Sequence, residues 1–134
     1  MATIPPRVSA VILPVLRESL PGVQVVSHVP EISDRSYPLL LARRNGGTAI
    51  DMELLDRCRV EFQVWHSESP GAAEDLALLA RSSLLQAWKD QRVVGGASIG
   101  RISESGGPNF VRDPGDAAWR VQSSYEILIR PHGG

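Results

Sequence analysis

The sequence has few of the features that mark secreted, membrane or nucleic-acid-binding proteins. Cys58 is the only cysteine in 134 residues, which predicts a buried, reduced thiol rather than a disulfide framework. No apolar run approaches the roughly 20 residues that a membrane helix needs. The first residues hold no basic region before an apolar run, which predicts no signal peptide. The net charge of −1 gives no general attraction to DNA, so any DNA contact requires a local patch.

Catalytic and cofactor motifs are equally scarce. The sequence has no phosphate-binding loop and no dinucleotide fingerprint, and its histidines are too scattered for a metal motif. The segment 96–100, Gly-Ala-Ser-Ile-Gly, matches the nucleophile-elbow pattern, which requires a strand before the serine and a helix after it. Here a helix precedes Ser98 and a strand follows, which does not fit the motif. The sequence leaves open whether a histidine that is distant in sequence contacts Ser98 in the folded chain. The sequence therefore predicts no catalytic residue, no metal and no cofactor.

The segment from Arg57 to Arg92 is the most informative part of the chain. Apolar side chains alternate with polar ones along a strand, which predicts a sheet with one face in a core and the other against water or a partner. The apolar set is Cys58, Val60, Phe62 and Val64, and the polar set is Arg57, Arg59, Glu61 and Gln63. An amphipathic helix follows, with Ser69 as the expected N-cap and Pro70 at the first helical position.

The remaining patterns complete one domain that spans residues 1–134. The expected helices cover about 6–20 and 70–91, and the expected strands cover about 23–29, 37–43, 56–65, 98–103 and 118–130. A Gly/Pro-rich loop is expected over 105–117. This order, α-β-β-β-α-β-β, predicts an α+β fold in which a small, mostly antiparallel sheet carries two helices on one face. Pro14 lies on the polar side of the first helix, where it bends the helix rather than ending it.

Two regions are candidate contact surfaces. The mixed-charge loop from Arg43 to Asp56 contains two glycines and cannot build a core of its own, so we expect a neighbouring molecule to hold it. On the second helix, Leu78 and Leu85 lie opposite Leu76 and form a second apolar stripe; the main stripe is Leu76, Leu79, Ala80, Leu84 and Ala87. That second stripe either packs against the first helix or forms an interface. The candidate subunit or tube-interface residues are Arg43, Arg44, Asp51, Glu53, Arg57, Arg59, Leu78 and Leu85.

Nearly the whole chain resembles the tail terminator proteins of long-tailed bacteriophages, especially those of actinobacterial hosts. The resemblance rests on arrangement over residues 23–29, 37–44 and 59–65, the helix 72–88 and the closing strand 125–130, rather than on a sharp motif. It implies a homohexameric ring that caps the tail tube, stops tube growth and joins the head-neck connector or stopper protein. It also implies that DNA passes through the ring without sequence-specific binding, and that the protein resides at the head-proximal end of the virion tail after assembly in the host cytoplasm.

Two other functions remain open at this point. The first is another neck protein, either a head-closure protein or a connector adaptor. The second is a small serine hydrolase that uses Ser98.

Overall fold

The computed structural model describes residues 1–111 and 118–132. Within them, two α-helices cover one face of a six-stranded sheet. The elements are α1 Val8–Ser19, β1 Gln24–Val26, β2 Leu39–Gly47, β3 Asp56–His66, α2 Pro70–Lys89, β4 Val93–Val94, β5 Ala97–Val111 and β6 Trp119–Pro131. The strand order is β1-β2-β3-β6-β5-β4, and every neighbouring pair except the parallel β1–β2 pair is antiparallel. The predicted α+β class is confirmed.

Strand β3 lies inside the sheet and separates its two faces. Its predicted apolar side chains, from Cys58 to Val64, are all fully buried beneath the helices on what we call the core face. There Phe62 packs on Tyr125 of β6, with ring centroids 5.0 Å apart. The opposite side of β3, including exposed Arg57 and Arg59, lies on what we call the open face.

Helix α1 covers one part of the core face. The side chains that the helical periodicity places on one apolar side are buried, and Pro14 lies inside the helix with its side chain exposed. The apolar side consists of Val8, Val11, Ile12, Val15 and Leu16. The helix begins at Val8 rather than at Pro6, because Arg7 has extended backbone angles and serves as the N-cap residue.

Helix α2 begins as the sequence predicts. Ser69 is the N-cap residue, its hydroxyl accepts a hydrogen bond from the backbone N–H of Ala72 at 3.0 Å, and Pro70 opens the first turn. Leu76, Ala80, Leu84 and Ala87 are buried, whereas Leu79 is 51% exposed. The prediction that Leu79 belongs to the core stripe is therefore wrong. A helix packed on a sheet buries only part of its circumference, and the apolar residues of α2 extend beyond that part.

The predicted boundaries of the first two strands are shifted. Strand β1 is three residues long rather than seven. Strand β2 continues past its predicted end at residue 43 to Gly47, which pairs with Cys58 after a register shift. Gly47 has φ of 109°, and a Cβ there would lie 2.2 Å from the carbonyl oxygen of Arg57. Glycine is required at this position because the two backbones approach too closely for a side chain.

The predicted loop over 105–117 is wrong for residues 105–111, which continue strand β5. Three register shifts along the β5–β6 pair accommodate the glycines and Pro108, as bulges commonly do in strands near a sheet edge. The rest of that predicted loop, 112–117, lies outside the described residues. A short strand, β4, also precedes β5 and was absent from the predicted order; Gly95 and Gly96 form the turn between them, both with positive φ.

Candidate interaction surfaces

The centre of the open face is a polar network built around the carboxylate of Glu61. Gln63 donates from its side-chain amide at 2.6 Å and Gln122 of β6 donates at 3.2 Å, both to Oε1 of Glu61. Arg43 of β2 reaches Oε2 of Glu61 at 3.4 Å. Arg43 lies directly opposite Glu61 in the pairing of β2 with β3. Gln63 lies two residues further along β3, and Gln122 of β6 lies opposite Gln63. The predicted interface residue Arg43 therefore lies on the open face with its charge already paired.

One end of the open face is covered by the chain itself. Leu39, Leu41 and Trp65 form a small buried cluster there, packed against Val26, Tyr37 and Ala118. The Arg120 guanidinium lies over Trp65, 5.8 Å from the ring centroid. This end is a minor core rather than a free surface.

The other end of the open face carries exposed arginines. Arg57 of β3 and Arg101 of β5 both lie opposite Leu128 of the intervening strand β6, so their backbones are about 10 Å apart. An open cavity of about 270 Å³ lies here, lined by Ile50, Arg57, Arg101, Ser103, Glu126 and Leu128. We call Arg57, Arg59 and Arg101 the arginine cluster. None of the three forms an ion pair with any described residue, and Glu126 is the single carboxylate that lines the cavity.

The base of the loop between β2 and β3 is closed by a bidentate ion pair. Arg44 contacts the two carboxylate oxygens of Asp56 at 2.7 and 3.1 Å, and its Nε donates to the carbonyl oxygen of Gly46 at 3.0 Å. The Arg44 side chain lowers the pKa of Asp56, and Asp56 in turn raises the pKa of Arg44. Beside this pair, burial raises the pKa of the Cys58 thiol to about 12, so Cys58 stays a neutral, unreactive thiol.

The loop ends in three exposed apolar side chains. Ile50, Met52 and Leu54, which we call the loop tip, are 58%, 83% and 61% exposed. Asp51 Oδ1 accepts the backbone N–H groups of Glu53 and Leu54 at 2.9 and 3.0 Å, an arrangement that fixes a turn. The predicted interface residues Asp51 and Glu53 are exposed, but Asp51 organises the turn, and the Glu53 carboxylate accepts the backbone N–H of Thr3 at 2.6 Å.

Helix α2 presents a second apolar surface. Leu78 and Leu85 are half-buried and Leu79 is exposed; we call Leu78, Leu79 and Leu85, with the exposed acidic residues Glu74 and Asp75, the outer surface of α2. The cleft between α1 and the C-terminal half of α2 is lined from α2 by Ser82, Ser83, Gln86, Ala87 and Asp90. At 100° per residue, Leu78 and Leu85 lie on the far side of α2 from this cleft.

The contact loop predicted over 43–56 contains the loop tip, but neither the apolar side chains of the tip nor Arg101 was predicted to be a contact residue. The sequence does contain a signal for the loop tip. Ile50, Met52 and Leu54 alternate with polar residues in a loop that cannot build a core of its own. Arg101 could not be found this way, since its place beside Arg57 depends on the strand order.

The structure brings Ser98 and His132 together. The Ser98 hydroxyl lies 2.7 Å from Nε2 of His132, and the backbone N–H of His132 donates to the carbonyl oxygen of Gly96 at 2.8 Å. Ser98 is fully buried and lies within β5, paired with Arg130, rather than on a sharp turn between a strand and a helix. The two hydrogen bonds of His132 join the end of β6 to the start of β5 and to the β4–β5 turn.

Residues 1–111 and 118–132 contain no group of three or more His, Cys, Asp or Glu side chains arranged to hold a metal ion. Neither α-helix in that part is both long and apolar enough to span a membrane.

A small sheet domain with helices on one face, an open polar face and two separate exposed apolar surfaces is typical of a protein that works through contacts with other proteins. Comparison with known families makes the class specific. Residues 5–134 match the model of the phage tail termination protein family, and the chain belongs to that family. It is similar to the Gene 22 protein of Mycobacterium phage L5, at 47% identity over 131 residues, and to the Gene 22 protein of Mycobacterium phage D29, at 30% identity over 129 residues. Both matches cover 93% of this chain and 93% of the relative. The chain is therefore a phage tail structural protein.

Proposed function

We propose that copies of this protein form a homohexameric ring that caps the phage tail tube, stops its polymerisation and joins the tail to the head-neck connector. The observation that carries the proposal is the match to the tail termination family over residues 5–134. The surfaces support it, because a closed ring uses two different patches on each copy. The loop tip with the arginine cluster is one such patch, and the outer surface of α2 is another.

The partners follow from this role. Each copy contacts its ring neighbours, the tail tube protein and a connector or stopper protein, and DNA passes through the ring without sequence-specific binding. The protein is assembled in the host cytoplasm and resides at the head-proximal end of the tail. We propose that the contacts draw on the loop residues Arg43, Arg44, Asp51 and Glu53, the open-face residues Arg57 and Arg59, and the helix residues Leu78 and Leu85.

We also propose that the role is structural and not enzymatic. The Ser98–His132 contact is the one observation that favours a hydrolase. Against it, Ser98 is fully buried within a strand, whereas the nucleophile-elbow motif that its sequence matches exposes the serine on a strained turn between a strand and a helix. Within the described residues, the only polar contact of the His132 side chain is with Ser98, so no third group orients the ring as a catalytic triad requires.

Deletion of the gene from the phage tests the capping role. We expect tube subunits to keep adding, which gives overlong tails that do not join heads, and we expect wild-type protein supplied in trans to restore tail length. Electron microscopy of lysates measures both. Tails of normal length that are joined to full heads would contradict the proposal.

A binding test distinguishes a capping protein from the alternative, another neck protein. Purified protein is mixed with purified tails from the deletion phage and, separately, with heads. A capping protein binds one end of the tails, whereas a head-closure protein or connector adaptor binds heads first. Labelled protein seen on heads and absent from tail ends would favour the alternative.

A further inference from the structure

From the surfaces described above, we infer that the outer surface of α2 in one copy packs against the loop tip and the arginine cluster of the next copy. This inference rests on the proposed ring and names the two patches that close it. The two patches match in both apolar character and charge, and they lie on opposite sides of the molecule.

The apolar parts of the two patches are similar in kind. The loop tip offers three side chains that are more than half exposed, and the outer surface of α2 offers half-buried Leu78 and Leu85 on one stripe with exposed Leu79 beside it, about 100° further round the helix. Exposed apolar clusters of this sort mark association sites. Met52, the most exposed of the three, is flexible enough to fill an irregular surface such as the side of a helix.

The arginine cluster and the exposed carboxylates of the outer surface of α2 are opposite in sign, whereas the carboxylates of Asp51 and Glu53 within the loop accept backbone N–H groups. Ile50 lines the same cavity as Arg57 and Arg101, so positive charge lies directly beside the loop tip. Asp75 precedes Leu79 by four residues and therefore lies one turn away on α2. Glu74 and Asp75 are exposed and form no ion pair with a described residue. Each patch thus offers the other an unpaired charge of opposite sign, which favours one docking orientation.

The position of the patches makes the contact heterologous. Helix α2 covers the core face of the sheet and turns its outer surface away from it, whereas the arginine cluster lies on the open face. A copy that uses one patch towards its left neighbour still has the other patch free for its right neighbour. Contacts of this kind generate a closed ring when the rotation between copies closes.

Both patches are held in place before contact. The Arg44–Asp56 ion pair closes the base of the loop, and the Asp51 carboxylate fixes the turn at its end. The outer surface of α2 belongs to a helix of 20 residues anchored by its buried side. Preformed patches bind with a smaller loss of conformational entropy than mobile ones do.

Site-directed crosslinking on tails tests the contact. One protein preparation carries Met52→Cys and a second, of different mass, carries Leu79→Cys; both are mixed with tails from the deletion phage and treated with a flexible bismaleimide. The native Cys58 is fully buried and does not compete. We expect crosslinked dimers of mixed mass and no dimers from either preparation alone. Ile32→Cys is the matched control, because Ile32 is apolar and 81% exposed but belongs to neither patch.

Charge exchange tests the electrostatic part of the contact. Because like charges across an interface cost several kcal/mol, we expect Arg57→Glu/Arg101→Glu to reduce the bound, assembled fraction about tenfold or more. We expect Glu74→Arg/Asp75→Arg to do the same, and the combination of all four substitutions to restore assembly. Arg7→Glu, at an exposed arginine outside both patches, serves as the control and is expected to leave assembly unchanged.

The outcomes separate this contact from its competitors and from the proposed function. Dimers of Met52→Cys with itself would mean a two-fold contact and would overturn the inference. Protection from hydrogen exchange along the free edge of β5, without protection of α2, would place the ring contact at the sheet edge instead. Arginine variants that form rings on tails but no longer retain DNA would assign the cluster to DNA and overturn the inference as well. Wild-type protein that fails to bind tails would refute the proposed function itself.

Discussion

The two sides of strand β3 differ in burial and in the contacts that their side chains make. On the core face, the side chains from Cys58 to Val64 are fully buried against the helices and β6. On the open face, Glu61 and Gln63 form a hydrogen-bonded network, while Arg57 and Arg59 remain exposed. Interactions within the chain determine the composition of the core face, because burying apolar side chains away from water stabilises the fold. The exposed end of the open face has no such partner among the described residues, and we propose that a contact outside the chain explains its composition.

The same contrast appears between the two ends of the open face. At one end, Leu39, Leu41 and Trp65 are covered by neighbouring segments of the chain. At the other end, the arginine cluster surrounds an open cavity. The chain itself thus covers the apolar cluster at one end of this face, whereas the arginine cluster at the other end has no ion-pair partner among the described residues. The predictions below test whether the faces differ in stability and in assembly as this comparison requires.

The largest effect on stability is expected on the core face. Leu84 of α2 is fully buried, so Leu84→Ala should lower the free energy of unfolding by about 2–5 kcal/mol. The matched control is Leu79→Ala on the same helix, where exposure limits the loss to about 0.5 kcal/mol. Urea denaturation measures both. Equal losses for the two variants would mean that the burial pattern of α2 is not the one described here.

A smaller, pH-dependent effect is expected at the base of the β2–β3 loop. Arg44 lowers the pKa of Asp56 below its ordinary value near 4. A carboxyl with a lowered folded-state pKa stabilises the fold above its unfolded-state pKa, and this contribution is lost as pH falls through the folded-state pKa. Asp56→Asn should therefore cost about 1 kcal/mol at neutral pH, since the Arg44 side chain is partly exposed.

The pH dependence of the same variant provides the control. Below about pH 4, where the carboxyl of Asp56 becomes protonated in the unfolded state, the difference in unfolding free energy between wild type and Asp56→Asn should shrink, and it should be lost as pH falls through the lowered folded-state pKa. Thermal unfolding across pH 2–7 follows this difference. A difference that stays constant down to pH 2 would show that the ion pair does not stabilise the fold through the charge of Asp56.

A charge reversal on the open face should separate assembly from stability. Arg59 is exposed and forms no ion pair with a described residue, but it lies directly opposite Glu126 of β6, so Arg59→Glu places two carboxylates side by side and should lower the free energy of unfolding by no more than about 1 kcal/mol. It should nevertheless reduce ring formation on tails if the open face is a subunit contact. Denaturation and electron microscopy measure the two effects. A variant that folds and assembles like wild type would remove Arg59 from the interface.

The parts of the fold that the sequence predicted are those fixed by short-range patterns. Alternation along β3, the buried side of α1 and the Ser69 cap of α2 all depend on neighbouring residues, and all three are confirmed. The loop predicted over 105–117 was wrong where β5 continues, because pairing with β6 outweighs the turn preference of glycine and proline. Tertiary pairing of this kind cannot be read from local propensity.

The candidate surfaces show the same limit. Arg57 and Arg59 could be placed on one polar face from alternation alone, and Leu78 with Leu85 on one side of a helix from its periodicity. Arg101 joins Arg57 only because β6 lies between β3 and β5, and strand order is a property of the whole fold. The Ser98–His132 contact likewise joins residues 34 apart in sequence, so spacing gave no sign of it.

The smallest effect is expected from Ser98→Ala. The change removes one hydrogen bond to His132, an exposed side chain whose ring nitrogen can turn to water, so the loss of stability should be about 1 kcal/mol or less. His132→Ala should cost more, about 1–3 kcal/mol, because it leaves the fully buried Ser98 hydroxyl without its partner. Tail length and head joining should match wild type for both variants, since the pair joins β6 to the β4–β5 turn and lies in neither contact patch. A fluorophosphonate probe should leave Ser98 unmodified, because its hydroxyl is buried; labelling of wild-type protein that disappears in Ser98→Ala would instead show a reactive nucleophile and refute the structural role.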